Sequence, residues 1–322
     1  MISAVKKLKG GSLSSTYYIK SYDQEYISKE IVRDQNREYG FVRWYSQLKK
    51  LQRYNTLYPN LFPQVIDVGV DHNKAFFKME YMKGFRDIKT ILTNDTLTDE
   101  QIFRMSQAVW KGLNQLHSVT HDPIPGAGNL YFEEEVLQKM TDALAVAEFA
   151  EFYAHGTYEY DGRIVQGIGA SIHDLENFFS ELKLIQEENI HGNPTLENIL
   201  YSFEEDRVVF IDVYDESMID SRFLDYAQVL QCSRSHYGYI NDNEVDIGEV
   251  SVTHRLQIPK NFETFNYHFE SEIAEPRTKE IVDVFEATQF IRMLPFKVLA
   301  GDIDKAKFFY VHACYLLSKV FR

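Results

Sequence analysis

The sequence predicts an α+β protein of two lobes, a small strand-rich N-lobe over residues 1–82 and a larger, mainly helical C-lobe over 83–322. Short β-prone runs at Thr16–Lys20, Glu25–Val32, Val65–Val70 and Ala75–Tyr81 crowd into the first part of the chain. After Met82-Lys83-Gly84 long helical periodicities take over. One loop and hairpin, His191 to Asp212, interrupts those helices and concentrates the polar residues suited to chemistry.

In the N-lobe a helix is expected from about Gln35 to Arg53, because Phe41, Trp44, Tyr45, Leu48 and Leu51 recur at steps of three and four. The expected order is strand, strand, helix, strand, strand. In the C-lobe Thr98-Asp99-Glu100-Gln101 reads as a capping box opening a helix that ends near His117, where an imidazole suits a helix C-terminus. Further helices are expected at Glu133–Phe152, Ser171–Glu188, Arg222–Cys232, Thr278–Leu299 with a kink at Pro295, and Asp302–Phe321. Ile199–Phe203 and Arg207–Asp212 flank Glu204-Glu205-Asp206 and read as a hairpin. Residues from Ser235 to Phe262 lack periodicity and are expected to be a loop-rich insertion facing the substrate.

The chain has 322 residues, 44% of them hydrophobic, enough for a substantial core. Its formal charge of -14 argues against a general nucleic-acid or anionic-membrane binder, although a few lysines, a cation and backbone amides can still neutralise a bound phosphate. Cys232 and Cys314 stand alone, without disulfide or zinc-ligand spacing, which points to a reducing compartment. The start lacks a signal-peptide apolar core and no run of about 18 apolar residues marks a membrane span, so a cytoplasmic location is expected.

Phosphoryl transfer needs donors around the phosphates, a divalent cation held by oxygens, and a group to orient and deprotonate the acceptor. Gly10-Gly11-Ser12-Leu13-Ser14-Ser15 precedes the first expected strand, and Gly11, Ser12 and Ser14 are candidates to cover phosphates; read alone, the segment is an ordinary turn. Lys29 sits in the next strand, where its ammonium can reach the donor, with Glu38 or Glu30 to orient it. The connector from Glu80 to Met82 offers backbone groups to a purine edge. Asn198 and Asp212 supply hard oxygens suited to Mg²⁺. An isolated Asn-Pro loop is an ordinary turn, and an isolated Asp after a strand an ordinary cap; their joint placement is what suggests a site.

His191-Gly192-Asn193, Asn198, Ile211-Asp212 and Asp225-Tyr226-Ala227 together resemble the aminoglycoside phosphotransferase and choline kinase superfamily, relatives of the protein kinases. In that family a His-Gly-Asp loop is followed five residues later by Asn, then by a strand ending Ile-Asp and an Asp-Leu-Ala-like segment. The resemblance spans nearly the whole chain. It implies a two-lobed protein-kinase-like fold, ATP or GTP as phosphate donor, Mg²⁺ on Asn198 and Asp212, a phosphate contact from Lys29, loop ordering by His191 and loop bracing by Asp225.

One position departs. Asn193 stands where the family has its catalytic Asp, and an amide accepts a hydrogen bond but is no base near neutral pH. Three readings follow: an engineered inactivating substitution, a natural pseudokinase that binds nucleotide or a protein partner without turnover, or an enzyme using another base such as Glu197 or Asp215. The acceptor implied is a small hydroxylated molecule, whether sugar, aminoglycoside-like compound or amino alcohol. Tyr237, Tyr239 and Tyr267 are candidates to face an ammonium, although such tyrosines more often pack or lie at a surface.

Overall fold

The computed structural model describes residues 2–8, 14–22, 24–32, 38–71, 73–214, 217–254 and 256–321, with the side chains of residues 2, 3, 38, 39 and 71 outside that description. The protein is α+β and 51% helical, with an antiparallel sheet near the N-terminus and a helical C-terminal part. It divides into two compact units, Met1–Ile91 with His191–Ser217, and Leu92–Ile190 with Met218–Arg322. The expected boundary at residue 82 falls inside the first of these. No helix among the described residues is long and apolar enough to cross a membrane.

The first unit is built on β1 (Ile2–Leu8), β2 (Ser15–Ser21), β3 (Glu25–Val32), α1 (Glu38–Leu57), β4 (Val65–Asp71) and β5 (Lys74–Glu80). The strands form one sheet in the order β1-β2-β3-β5-β4, every neighbouring pair antiparallel. Three strands therefore precede the helix, where two were expected. β1 carries Val5-Lys6-Lys7, a largely exposed edge strand whose lysines hide the apolar alternation that marks a half-buried strand.

The helix forms where the periodicity places it. Trp44, Leu48 and Leu51 share one face and are buried, and the Trp44 ring lies 5.6 Å from that of Phe77 on β5. Ile199–Ser202 and Arg207–Phe210 form the expected hairpin, with Ile199 opposite Phe210, and a third short strand, Arg86–Asp87, adds to its edge. The N–H of Phe210 donates to Leu61 O at 2.9 Å, which ties the hairpin to the segment after α1.

In the second unit the capping box is present: Thr98 accepts from the N–H of Gln101, and the Gln101 side chain accepts from the N–H of Thr98 at 2.9 Å. Two expected helices need correction. The single helix expected over Glu133–Phe152 is a π-helical turn, Phe132–Leu137, then helices Gln138–Leu144 and Ala147–Tyr153, broken where Val146 turns extended. The buried Glu135 of the π turn meets Arg292 at 2.7 Å, a long-range partner that helical periodicity does not encode.

The helix expected over Ser171–Glu188 spans Ile172–Glu181, because Gln186–Glu187 pair as a strand with Thr120–His121. Residues 235–262 hold short elements between irregular stretches: a helix, Tyr237–Asp242, strands Asp246–Ile247 and Ser251–Thr253, and the start of a helix at Lys260. Ser251–Thr253 runs parallel to Thr157–Tyr160, itself in a hairpin with Arg163–Gln166 that lies inside no expected element. Tyr237 packs on Phe309, Tyr239 on Phe262, and Tyr267 is 70% exposed beside His268, so each has a different neighbour and they form no cage. Pro276–Leu299 continues as one helix with Pro295 inside it.

Candidate functional site

The first unit gathers Lys29, His191, Asn193, Asn198 and Asp212. Lys29 lies on β3 opposite Phe77 of β5, so its side chain starts from the sheet face that α1 covers. Its Nζ reaches Asp212 Oδ1 at 2.5 Å across 183 residues of sequence. The Lys29 side chain is 7% exposed and that of Asp212 33%, so the carboxylate keeps one side open. Burial raises the Asp212 carboxyl; the Lys29 ammonium, with the Arg43 guanidinium adding to it, outweighs that and holds the group below the usual carboxylate range. Asp212 has φ of +56°, a left-handed conformation that Asp tolerates better than most residues.

The loop from His191 is ordered through its own backbone. The Asn193 N–H donates to His191 Nδ1 at 3.1 Å, so Nε2 carries the ring proton and donates to the Ile211 carbonyl at 3.0 Å. The ring is fully buried, stacked 6.4 Å from Phe62 and tilted against Phe210 at 5.4 Å. The Asn193 carbonyl takes two donors, the N–H of Thr195 at 2.9 Å and Asn198 Nδ2 at 3.0 Å. That leaves Asn198 Oδ1 as the acceptor end of the amide. The N–H of Ile211 donates to Asn198 O at 2.9 Å and that of Tyr214 to His191 O at 2.9 Å, so loop and hairpin strand are laced together on either side of Asp212.

Gly192 has φ of +81°, and a Cβ there would lie 2.9 Å from Tyr214 O. The turn therefore needs glycine both for its backbone angle and for its closeness to the strand.

Two oxygens, from Asp212 and Asn198, are thus offered by adjacent segments. This set fits Mg²⁺, which is usually held by one or two protein carboxylates, with waters and phosphate oxygens completing its shell. Among the described residues no three His, Cys, Asp or Glu side chains converge on a possible metal position.

The remaining candidates are placed unevenly. Gly11 and Ser12 lie outside the described residues, as do Asp215 and the side chain of Glu38; Ser14 is half-buried just before β2. Glu30 is committed to Lys74 at 2.6 Å, and Glu197 is exposed and paired with Lys89. Glu80 ends β5, its N–H donating to Gln64 O at 2.9 Å. The Met82 carbonyl accepts from Phe85 in a turn through Gly84, which leaves the Met82 N–H outside that turn.

Asp225 belongs to the second unit. It sits in the helix Arg222–Ser233, fully buried, with Oδ2 2.9 Å from His117 Nε2. His117, expected only to complement a helix end, is therefore one half of a buried pair. The signal for that pair was weak, since 108 residues separate the two. Nothing singled out Arg43, Gln47 or Lys50 either, although all three touch the residues directly after Asp212. A polar helix face reads as a solvated one.

No family model matches the chain, and no curated protein matches it.

Proposed function

We propose that the protein is a phosphotransferase of protein-kinase-like fold that uses ATP or GTP to phosphorylate a hydroxyl of a small molecule. The observation that carries this reading is the Lys29–Asp212 pair set against the Asn198 loop within one compact unit. A buried ammonium and a half-open carboxylate side by side suit a phosphate bound with its metal: Lys29 contacts donor oxygens, while Asp212 and Asn198 hold the cation. Mg²⁺, when bound, supplies neutralisation of the charge shared by the donor phosphates. His191 keeps the loop at its distance from Asp212, and Asn193 orients the acceptor hydroxyl through its side-chain oxygen.

A second reading, nucleotide binding without turnover, is favoured by Asn193 itself. Its amide cannot take the acceptor's proton, which typically costs about 10²- to 10⁴-fold in rate.

Thermal shifts with ATP and GTP, with and without Mg²⁺, test both readings, since a ligand that prefers the folded state stabilises it. Asn193→Asp is then assayed with either nucleotide across a panel of sugars, aminoglycosides and amino alcohols, with product detected by mass. A gain in turnover with any acceptor supports the phosphotransferase. Stabilisation by nucleotide with no gain leaves the binding protein, and no stabilisation at millimolar nucleotide removes both.

A further inference from the structure

α1 carries two adjacent stripes with the same spacing. Trp44, Leu48 and Leu51 form the buried one. Arg43, Gln47 and Lys50 form the other, at i, i+4 and i+7, and so share a face. Every member of the second stripe meets the two residues that follow Asp212. Gln47 Nε2 donates to the Val213 carbonyl at 2.9 Å, Lys50 Nζ donates to the Tyr214 carbonyl, and the Arg43 guanidinium lies over the Tyr214 ring, 4.7 Å from its centre.

The same helix also holds the other half of the ion pair, because Trp44 Nε1 donates to the backbone carbonyl of Lys29 at 3.3 Å. Val213 is itself buried in the core, and only a water-sized cavity of about 10 Å³, lined by Gln47, Leu51, Pro63, Phe77 and Met79 together with Ile211–Val213, lies beside it. The polar contacts therefore act next to apolar packing, on the backbone of a segment headed by a left-handed residue.

We propose that Arg43, Gln47 and Lys50 are positioning residues: they clamp Val213 and Tyr214 so that Asp212 presents its carboxylate to a bound cation, with α1 acting as the ruler between Lys29 and Asp212. The clamp rests on the phosphotransfer reading for its purpose, and on geometry for its existence. Partners that orient a metal-ligating group typically change metal affinity about 10- to 100-fold when removed.

The test uses the full chain and the variants Gln47→Ala, Lys50→Met, Lys50→Arg and, as a control on the neighbouring exposed position, Lys49→Met. Two quantities are measured: hydrogen exchange of the peptide covering residues 211–214, and the Mg²⁺ concentration giving half the nucleotide-induced thermal shift. Gln47→Ala and Lys50→Met are expected to speed exchange in that peptide and to raise the half-saturating Mg²⁺ about 10-fold or more. The shift given by nucleotide without Mg²⁺ stays as in the parent, Lys50→Arg restores both readouts, and Lys49→Met changes neither.

Unchanged exchange in both clamp variants overturns the proposal, and so does faster exchange with an unmoved Mg²⁺ requirement. If the parent protein shows no nucleotide shift at all, the phosphotransfer reading is what fails. The exchange measurement then decides the clamp by itself, local loosening upholding it and none overturning it.

Discussion

The backbone N–H of Asn193 donates to Nδ1 of His191, two residues before it, at 3.1 Å. That bond fixes the tautomer of the ring, and the ring in turn holds the Ile211 carbonyl next to Asp212. His191 is thus a strut between loop and strand, with both nitrogens used and a buried ring between Phe62 and Phe210.

His191→Leu keeps most of the volume and loses both hydrogen bonds, leaving a half-buried carbonyl and a half-buried N–H without them. The expected loss of stability is about 1–3 kcal/mol, from two broken bonds and two partly desolvated groups. Urea denaturation measures it. His191→Gln, which can restore one of the two bonds, is expected to lose less; equal losses for the two variants would show that the ring acts by packing alone.

The parts of the fold that local patterns encode are legible in the sequence. The stripe Trp44, Leu48 and Leu51 announced α1 and its buried face, the two apolar runs around Glu204-Glu205-Asp206 announced the hairpin, and Thr98 with Gln101 announced a cap. Each depends on residues within a turn or two of one another. Lys29 and Asp212 are separated by 183 residues, and His117 and Asp225 by 108, so no spacing rule reaches them. Arg43, Gln47 and Lys50 escaped for a different reason. Their polar stripe looks like a face turned to water, and only the placement of 213–214 shows that it is spent on backbone carbonyls.

Gly192→Ala carries two separate penalties, a positive φ and a Cβ placed 2.9 Å from a backbone oxygen that has no rotamer to retreat into. A left-handed non-glycine residue costs about 1–2 kcal/mol before any clash. The loop is expected to shift away from Tyr214, so that Mg²⁺-dependent nucleotide stabilisation falls more than the melting temperature of the free protein. Thermal shift with and without Mg²⁺-nucleotide reads both changes.

The second unit is expected to be acid-sensitive through two histidines. Burial pushes His236 down to about 4, with the His254 imidazole acting in the same direction, and burial first of all holds His312 well below its ordinary value. His312 accepts or donates through Nδ1 to the Tyr160 hydroxyl at 2.7 Å. Both rings stay neutral in the folded chain at pH values where the unfolded chain binds their protons. Stability therefore rises with pH from about 4 to about 6.5 and levels off above, at up to about 1.4 kcal/mol per pH unit for each proton. His236→Asn tolerates the left-handed backbone there (φ of +54°) and should flatten that slope by as much as one proton. Urea midpoints across pH 4 to 7 give the slope.

The Lys29–Asp212 pair is asymmetric, and the asymmetry sets which substitution hurts more. Asp212→Asn suits the left-handed backbone but strands an ammonium that is only 7% exposed, whereas Lys29→Met leaves a carboxylate with a third of its surface in water. Removing one partner of a buried pair destabilises because the other charge stays desolvated. The expected losses are about 2 kcal/mol for Asp212→Asn and about 1 kcal/mol for Lys29→Met. The pH dependence has a definite sign. The folded Asp212 carboxyl titrates below its unfolded value of about 3.9, so its contribution is complete above that pH and is lost as the pH falls through the folded value. The gap between Lys29→Met and the parent should accordingly shrink below about pH 4. Function separates the two further: Lys29→Met should weaken nucleotide binding even without Mg²⁺, while Asp212→Asn should remove the response to Mg²⁺ and spare the rest. If both variants lost the same binding, the division of labour between ammonium and carboxylate would be wrong.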